Sequence, residues 1–118
     1  MICVLVVDDD RLLRQMAARL LEHAGYAAVP VGSAAEARAV LPTRPDITVA
    51  LIDVLLPDMS GLDLAADLRR LAPGLRVAFM SGFSDDHFER PVDEPCVMKP
   101  FTMEELMKGI KEALDRSS

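Results

Sequence analysis

The sequence has no tryptophan, one tyrosine and four phenylalanines, so aromatics make up only 4% of its 118 residues. Its core must therefore be filled by Leu, Val, Ile, Ala and Met, and a hydrophobic content of 51% is enough to do so. Positive charge is also scarce, with 13 Lys and Arg against 19 Asp and Glu and a formal net charge of -6. That balance argues against a nucleic-acid binder, which needs a basic face for the phosphate backbone. No apolar run approaches the ~20 residues of a membrane span. No basic segment precedes a long apolar one, so neither a signal peptide nor a membrane partner is expected. The only cysteines, Cys3 and Cys96, each lie inside an apolar run. They are read as buried thiols of a cytoplasmic protein rather than as a disulfide.

What the chain does contain is an alternation. Ile2 to Val7 is a continuous apolar run of the kind that forms a strand buried on both faces. Leu13, Met16, Ala17, Leu20 and Leu21 then recur at helical spacing, with Arg14, Arg19 and Glu22 on the other face and Gly25 as a stop. Ala27 to Val31 reads as strand two. Ser33-Ala34-Ala35-Glu36 has the spacing of a capping box for a short helix that Pro42 and Pro45 end. Ile47 to Ile52 is strand three, followed by a helix striped by Leu64, Leu68 and Leu71 and closed at Pro73-Gly74. Leu75 to Met80 is strand four and Cys96 to Met98 a short strand five. Between them, Asp85 to Arg90 offers one or two helical turns, so the fourth helix is expected to be short or irregular. Thr102-Met103-Glu104-Glu105 is a second capping box, opening a last helix with Leu106, Ile110 and Leu114 on its apolar stripe.

One domain over residues 1–118 is the natural reading of this length. Five alternations of strand and helix imply a doubly wound α/β fold, a five-stranded parallel sheet with helices on both faces. Strand order 2-1-3-4-5 is a common solution, and it makes strands one and three neighbours at the switch point where ligands bind.

The ends of the apolar runs are polar. Strand one ends in Asp8-Asp9-Asp10, strand three in Asp53, strand four in Ser81 and strand five in Lys99. The fold would bring these together at one edge of the sheet. Three carboxylates in one cleft repel, by about 4 kcal/mol per pair at ~4 Å and an effective dielectric of 20. Such a cluster wants a cation, and a few oxygen ligands in an open cleft suit Mg²⁺ with several waters retained. Asp53 is left as a carboxylate nucleophile able to form an aspartyl phosphate. Lys99 can place a point charge on a phosphoryl oxygen and Ser81 can donate to another. Asp10 reads as a helix cap and Asp58 as a turn residue. His23 and His87 read as solvated, and the methionines as core filler.

Over essentially its whole length the chain resembles the receiver domain of two-component response regulators. Val6-Val7-Asp8-Asp9 resembles the family's acidic pair, Asp53-x-x-Leu56-Pro57-x-Met59-x-Gly61 its acceptor loop, Ser81-Gly82 its switch residue with a small neighbour, and Lys99-Pro100-Phe101 its lysine motif. The flavodoxin-like fold is implied by that resemblance. So are Asp53 as phospho-acceptor, Mg²⁺ held by Asp9, Asp53 and the backbone carbonyl of Leu55 with Asp8 acting through water, and a cis bond before Pro100. The implied function is a signalling switch that takes a phosphoryl group from a histidine kinase or histidine phosphotransfer protein. It then acts on a downstream protein target as a monomer or weak dimer, with self-phosphorylation and slow self-dephosphorylation its only catalysis. Two departures stand out. Cys96 occupies the position three before the lysine where receivers commonly carry an aromatic, and the stretch from Ser81 to Lys99 is short. The Phe83-Ser84-Asp85 context resembles receivers attached to, or serving, hybrid sensor kinases. Leu55 and Phe83 flank the acceptor and are expected to obstruct attacking water. With no output domain expected after Arg116-Ser117-Ser118, the chain is read as either a stand-alone regulator or an excised receiver.

Two other readings compete. Asp8-x-Asp10 resembles the first motif of haloacid-dehalogenase-type phosphatases, with Asp8 as nucleophile and Ser81 and Lys99 following in order. That family needs further acidic ligands at a strand end after the lysine, whereas Glu104, Glu105, Glu112 and Asp115 fall in a helical pattern. A receiver-like interaction module that never takes phosphate is the other. A flavodoxin-like cofactor binder is disfavoured because no Gly/Ser/Thr-rich phosphate loop follows strand one.

Overall fold

The computed structural model describes residues 1–82 and 94–116. The expected irregular fourth helix, with Phe83, lies outside the described residues. The strands are β1 (Cys3–Val7), β2 (Ala27–Val31), β3 (Ile47–Asp53), β4 (Arg76–Ser81) and β5 (Cys96–Met98). They form one parallel sheet in the order β2-β1-β3-β4-β5. The described helices are α1 (Arg11–His23), α2 (Ala34–Val40), α3 (Gly61–Leu71) and α4 (Met103–Asp115). Among the described residues no helix is long and apolar enough to cross a membrane.

The two-residue period of the strands divides the core. Leu5, Val7, Ala50, Ile52, Val77 and Phe79 point to one face and pack with α2 and α3 through Ala34, Ala37, Leu64, Ala65 and Leu68. Val4, Val6, Val49, Leu51, Ala78 and Met80 point to the other and pack with α1 and α4 through Ala17, Leu21, Leu106 and Ile110. Both faces are covered, which is why the strands read as continuous apolar runs rather than alternating ones. At its start β3 carries one register shift against β1. Cys3 pairs with Ile47 and Val4 with Val49, leaving exposed Thr48 without a partner in that ladder.

The local signals explain most boundaries. Asp10 caps α1, its carboxylate accepting from Leu12 N and Leu13 N. Gly25 follows at φ 97°, a backbone conformation that favours glycine. Thr102 and Glu105 make a complete capping box on α4. The box expected at Ser33 is only half formed. Ser33 Oγ accepts from Glu36 N, but Glu36 Oε2 turns to Gly32 N at 3.2 Å. α2 ends where its prolines lead one to expect. The helix stops at Val40, and Pro42 is accommodated in a tight 3₁₀ turn over Leu41–Thr43. There its ring fixes φ and its missing N–H costs nothing. β4 begins one residue later than the apolar run suggested, because Leu75 N is engaged in a turn to Ala72 O at 3.0 Å.

Candidate functional site

The acidic cluster forms where β1 and β3 end side by side. Asp8 N continues the sheet ladder to Val31 O at 3.2 Å, which carries the Asp8 side chain into the interior, where it is 0% exposed. Its Oδ1 accepts from Asp10 N at 2.8 Å, so the chain turns outward immediately and leaves Asp9 exposed at the mouth. Asp53 is the last residue of β3 and 4% exposed. One carboxylate oxygen from each of Asp8, Asp9 and Asp53 lies within 4.8 Å of the others.

Lys99 enters from the end of β5. Its backbone N donates to Ser81 O at 2.8 Å, and the Lys99–Pro100 bond is cis, as the resemblance implied. Lys99 Nζ reaches Asp53 Oδ2 at 2.8 Å and Asp8 Oδ2 at 2.7 Å. Among the described residues the buried Asp8 Oδ2 has no partner besides this ion pair, so it keeps lone-pair capacity for another donor or a cation. Asp53 Oδ1 accepts from Leu55 N at 3.1 Å. Burial is the largest influence on the Asp53 carboxyl and pushes its pKa up, with the Asp8 charge adding to this and Lys99 and Leu55 N opposing it. Burial also works most strongly on Lys99, in the lowering direction. The hydrogen bond to Asp53, together with contact with Asp8, outweighs it, and the ammonium titrates above its ordinary value.

The loop after the acceptor is fixed by close contacts. Val54 N donates to Met80 O at 3.0 Å and Gly61 N to Val54 O at 2.9 Å. A Cβ on Gly61 would overlap the backbone carbonyl of Asp53, so the helix start can approach the acceptor only as glycine. Ser60 Oγ caps α3 through Leu62 N. Asp58 is structural, as its turn context suggested. Its carboxylate accepts from Ala34 N and Ala35 N, both at 3.1 Å, and so ties this loop to the start of α2.

A model of the response regulator receiver domain matches residues 4–111. The chain belongs to that family. This receiver domain is 29% identical to the response regulator receiver protein CpdR of Brucella abortus, over 94% of this chain and 95% of that protein. It is 30% identical over 96% of its length to the sensor kinase CckA of the same organism, of which it spans 12%. It spans about half of several transcriptional regulators it resembles, among them TcrX of Mycobacterium tuberculosis, at 35% identity and 51% of that protein. In three dimensions it matches the CheY-like receiver domain protein of Methanospirillum hungatei with a TM-score of 0.82 and 27% identity, covering 98% of this chain and 94% of that one. A receiver domain is the phospho-acceptor switch of two-component signalling.

The strand-end residues singled out in the sequence are brought to one edge of the receiver's sheet: Asp8, Asp9, Asp53 and Lys99 in one cluster, and Ser81, 1% exposed, on the neighbouring strand end. The acids after the lysine, which a haloacid-dehalogenase-type site would need at a strand end, instead lie on α4, where Glu105 is engaged in the capping box. Arg14 corrects the sequence reading. Helical spacing puts it on the solvent face of α1, yet it is half-buried and donates through Nη1 to both Asp8 O and Asp9 O at 3.3 Å. Helical side chains lean toward the N-terminus, so a long one in the first turn lies back over the preceding loop, a signal periodicity ignores.

Proposed function

We propose that residues 1–118 form one receiver domain in which Asp53 takes a phosphoryl group from a phosphohistidine on a histidine kinase or histidine phosphotransfer protein. The observation that carries this reading is the bridging of Asp53 and Asp8 by Lys99 beside an exposed Asp9. The three carboxylates and a single lysine leave the cluster net negative, and every acidic donor is a hard oxygen. That set fits Mg²⁺, which Asp9, Asp53 and the Leu55 carbonyl would hold, with Asp8 acting through water. When bound, Mg²⁺ supplies positive charge against the phosphoryl oxygens.

The chain's own residues do the rest. A carboxylate oxygen of Asp53 attacks phosphorus as the P–N bond to imidazole breaks, and the imidazole leaves with its electron pair and is protonated. Leu55 N fixes the orientation of the carboxylate. Lys99, already 2.8 Å from Asp53 Oδ2, exchanges that oxygen for a phosphoryl oxygen. Ser81 donates to another and is drawn inward. The work is positioning and electrostatics, as phosphoryl transfer generally requires. The acyl phosphate carries up to about two negative charges where the carboxylate carried one, and shifts the population toward the Ser81-in state. That state is read by a downstream protein target.

The test is intact-mass spectrometry after incubation with acetyl phosphate, with and without Mg²⁺, on the unsubstituted protein and Asp53→Asn. One Mg²⁺-dependent phosphoryl adduct on the unsubstituted protein alone is expected. An adduct that persists in Asp53→Asn would overturn the assignment. No adduct from either acetyl phosphate or a phosphohistidine donor would favour a phosphate-independent module.

A further inference from the structure

We infer that Arg14 is a positioning residue for the cation site. It holds the Asp8-Asp9 loop in the conformation that presents the Asp9 carboxylate to Mg²⁺. The inference rests on the cation site proposed above and adds to it a residue that touches neither metal nor phosphoryl group.

The geometry is specific. Asp8 and Asp9 are consecutive, and consecutive carbonyls in extended chain point in opposite directions. Here both carbonyl oxygens lie 3.3 Å from the same nitrogen, Arg14 Nη1, so the chain is wrapped around the guanidinium. The Asp9 side chain is exposed, and among the described residues its carboxylate has no hydrogen-bond partner. Its direction is therefore set by its backbone. That backbone is held by Asp10 N on Asp8 Oδ1 from one side and by Arg14 from the other. Arg14 is in turn held from the β2–α2 connection. A Cβ placed on Gly32 would lie 3.2 Å from Nη1 and 3.4 Å from the guanidinium carbon, so the guanidinium lies close against this glycine.

The sign of the effect separates positioning from charge. Acting only as a cation near three carboxylates, Arg14 would repel Mg²⁺, and removing its charge would tighten binding. Acting through the loop, its removal weakens binding. Groups that orient metal ligands typically contribute 10- to 100-fold in affinity. Because Arg14 acts through the backbone, the lower end, about tenfold, is expected.

The experiment is Mg²⁺ titration by calorimetry on the unsubstituted protein, Arg14→Gln, Arg14→Lys and Gly32→Ala, with folding checked by circular dichroism. Phosphorylation by acetyl phosphate is then measured against Mg²⁺ concentration. Arg14→Gln is expected to bind Mg²⁺ about tenfold more weakly, with the phosphorylation rate returning to the unsubstituted level at saturating Mg²⁺. Arg14→Lys is expected to recover part of the affinity. Gly32→Ala, which displaces the guanidinium by tenths of an ångström, is expected to lose about twofold. Affinity equal to or tighter than the unsubstituted protein in Arg14→Gln would overturn the inference. So would a lower phosphorylation rate at saturating Mg²⁺ with affinity intact. If Arg14→Gln does not fold, unchanged affinity in Gly32→Ala overturns it instead. Absence of Mg²⁺ binding by the unsubstituted protein would remove the cation site itself, an outcome distinct from a failure of Arg14 alone.

Discussion

Lys99 Nζ stands 2.8 Å from Asp53 Oδ2 across 46 residues of sequence, and the same nitrogen stands 2.7 Å from Asp8 Oδ2. One ammonium thus offsets two buried carboxylates, and the offset is incomplete. The raised pKa of Asp53, caused first by burial and then by the Asp8 charge, means that ionising this side chain is harder in the folded chain than in the unfolded one.

A stability consequence follows for Asp53→Asn. The folded pKa lies above the unfolded one, so the folded state binds more protons between the two values and stability falls as pH rises through that window. Asn mimics the neutral carboxyl. In chelator-treated buffer at pH 7, Asp53→Asn is expected to unfold at a higher temperature than the unsubstituted protein. The difference should shrink as pH falls from the raised folded value toward the ordinary carboxylate value of 3.8. Thermal melts at several pH values check this, and a lower melting temperature for Asp53→Asn at pH 7 would contradict it.

Asp58 carries the opposite pH sign. Its carboxylate is held below the ordinary range first by the backbone N–H of Ala34, with Ala35 N adding to it. A depressed folded pKa gives stability that is present above 3.8 and lost as pH falls through the folded value. Asp58→Ala leaves two N–H groups at the start of α2 without their acceptor. A loss of about 1 kcal/mol at pH 7 is expected, the scale of a helix cap. Urea unfolding should show the two proteins converging in acid.

Gly61→Ala tests the close approach behind the acceptor. The added Cβ meets the Asp53 carbonyl and the Val54 backbone rather than a flexible side chain. The chain must shift, at a cost of about 1–3 kcal/mol. The shift displaces Asp53, so slower phosphorylation by acetyl phosphate should accompany the lower stability. Gly74→Ala, where a Cβ would meet nothing within 4 Å, is the control and should change neither.

Leu55 bears on the lifetime of the phosphoryl group. Its N–H is bonded to Asp53 Oδ1, which places its backbone beside the acceptor, and its half-buried apolar side chain is expected to hinder an attacking water. Leu55→Asn or Leu55→Glu is expected to shorten the phosphoryl half-life several-fold, followed as decay of the adduct mass. An unchanged half-life would leave water exclusion to other groups. Phe83, expected to flank the acceptor from the other side, lies outside the described residues.

The elements and their order were legible in the sequence because the central strands β1, β3 and β4 are buried on both faces and so read as largely unbroken apolar runs. The helices between them announce themselves by caps such as Asp10 and Thr102. The site was legible for a related reason. A buried strand that stops at a polar or charged residue is unusual, and Asp8, Asp53, Ser81 and Lys99 do so four times. Local patterns could not decide how these side chains are held. The share of Lys99 between Asp53 and Asp8, the reach of Asp58 to α2 and the fold of the Asp8-Asp9 loop around Arg14 all depend on distances between segments. The Thr48 irregularity is hidden likewise, since a run such as Ile47 to Ile52 fits a strand in either register and only pairing with β1 shows the extra residue. Sequence determined most of the burial, through hydrophobic periodicity and the cost of unsatisfied backbone, although Met16 and Leu71, expected on the apolar stripes of α1 and α3, are exposed. Tertiary structure alone decided which polar atoms meet, because a hydrogen bond or ion pair depends on tenths of an ångström between elements far apart in the chain.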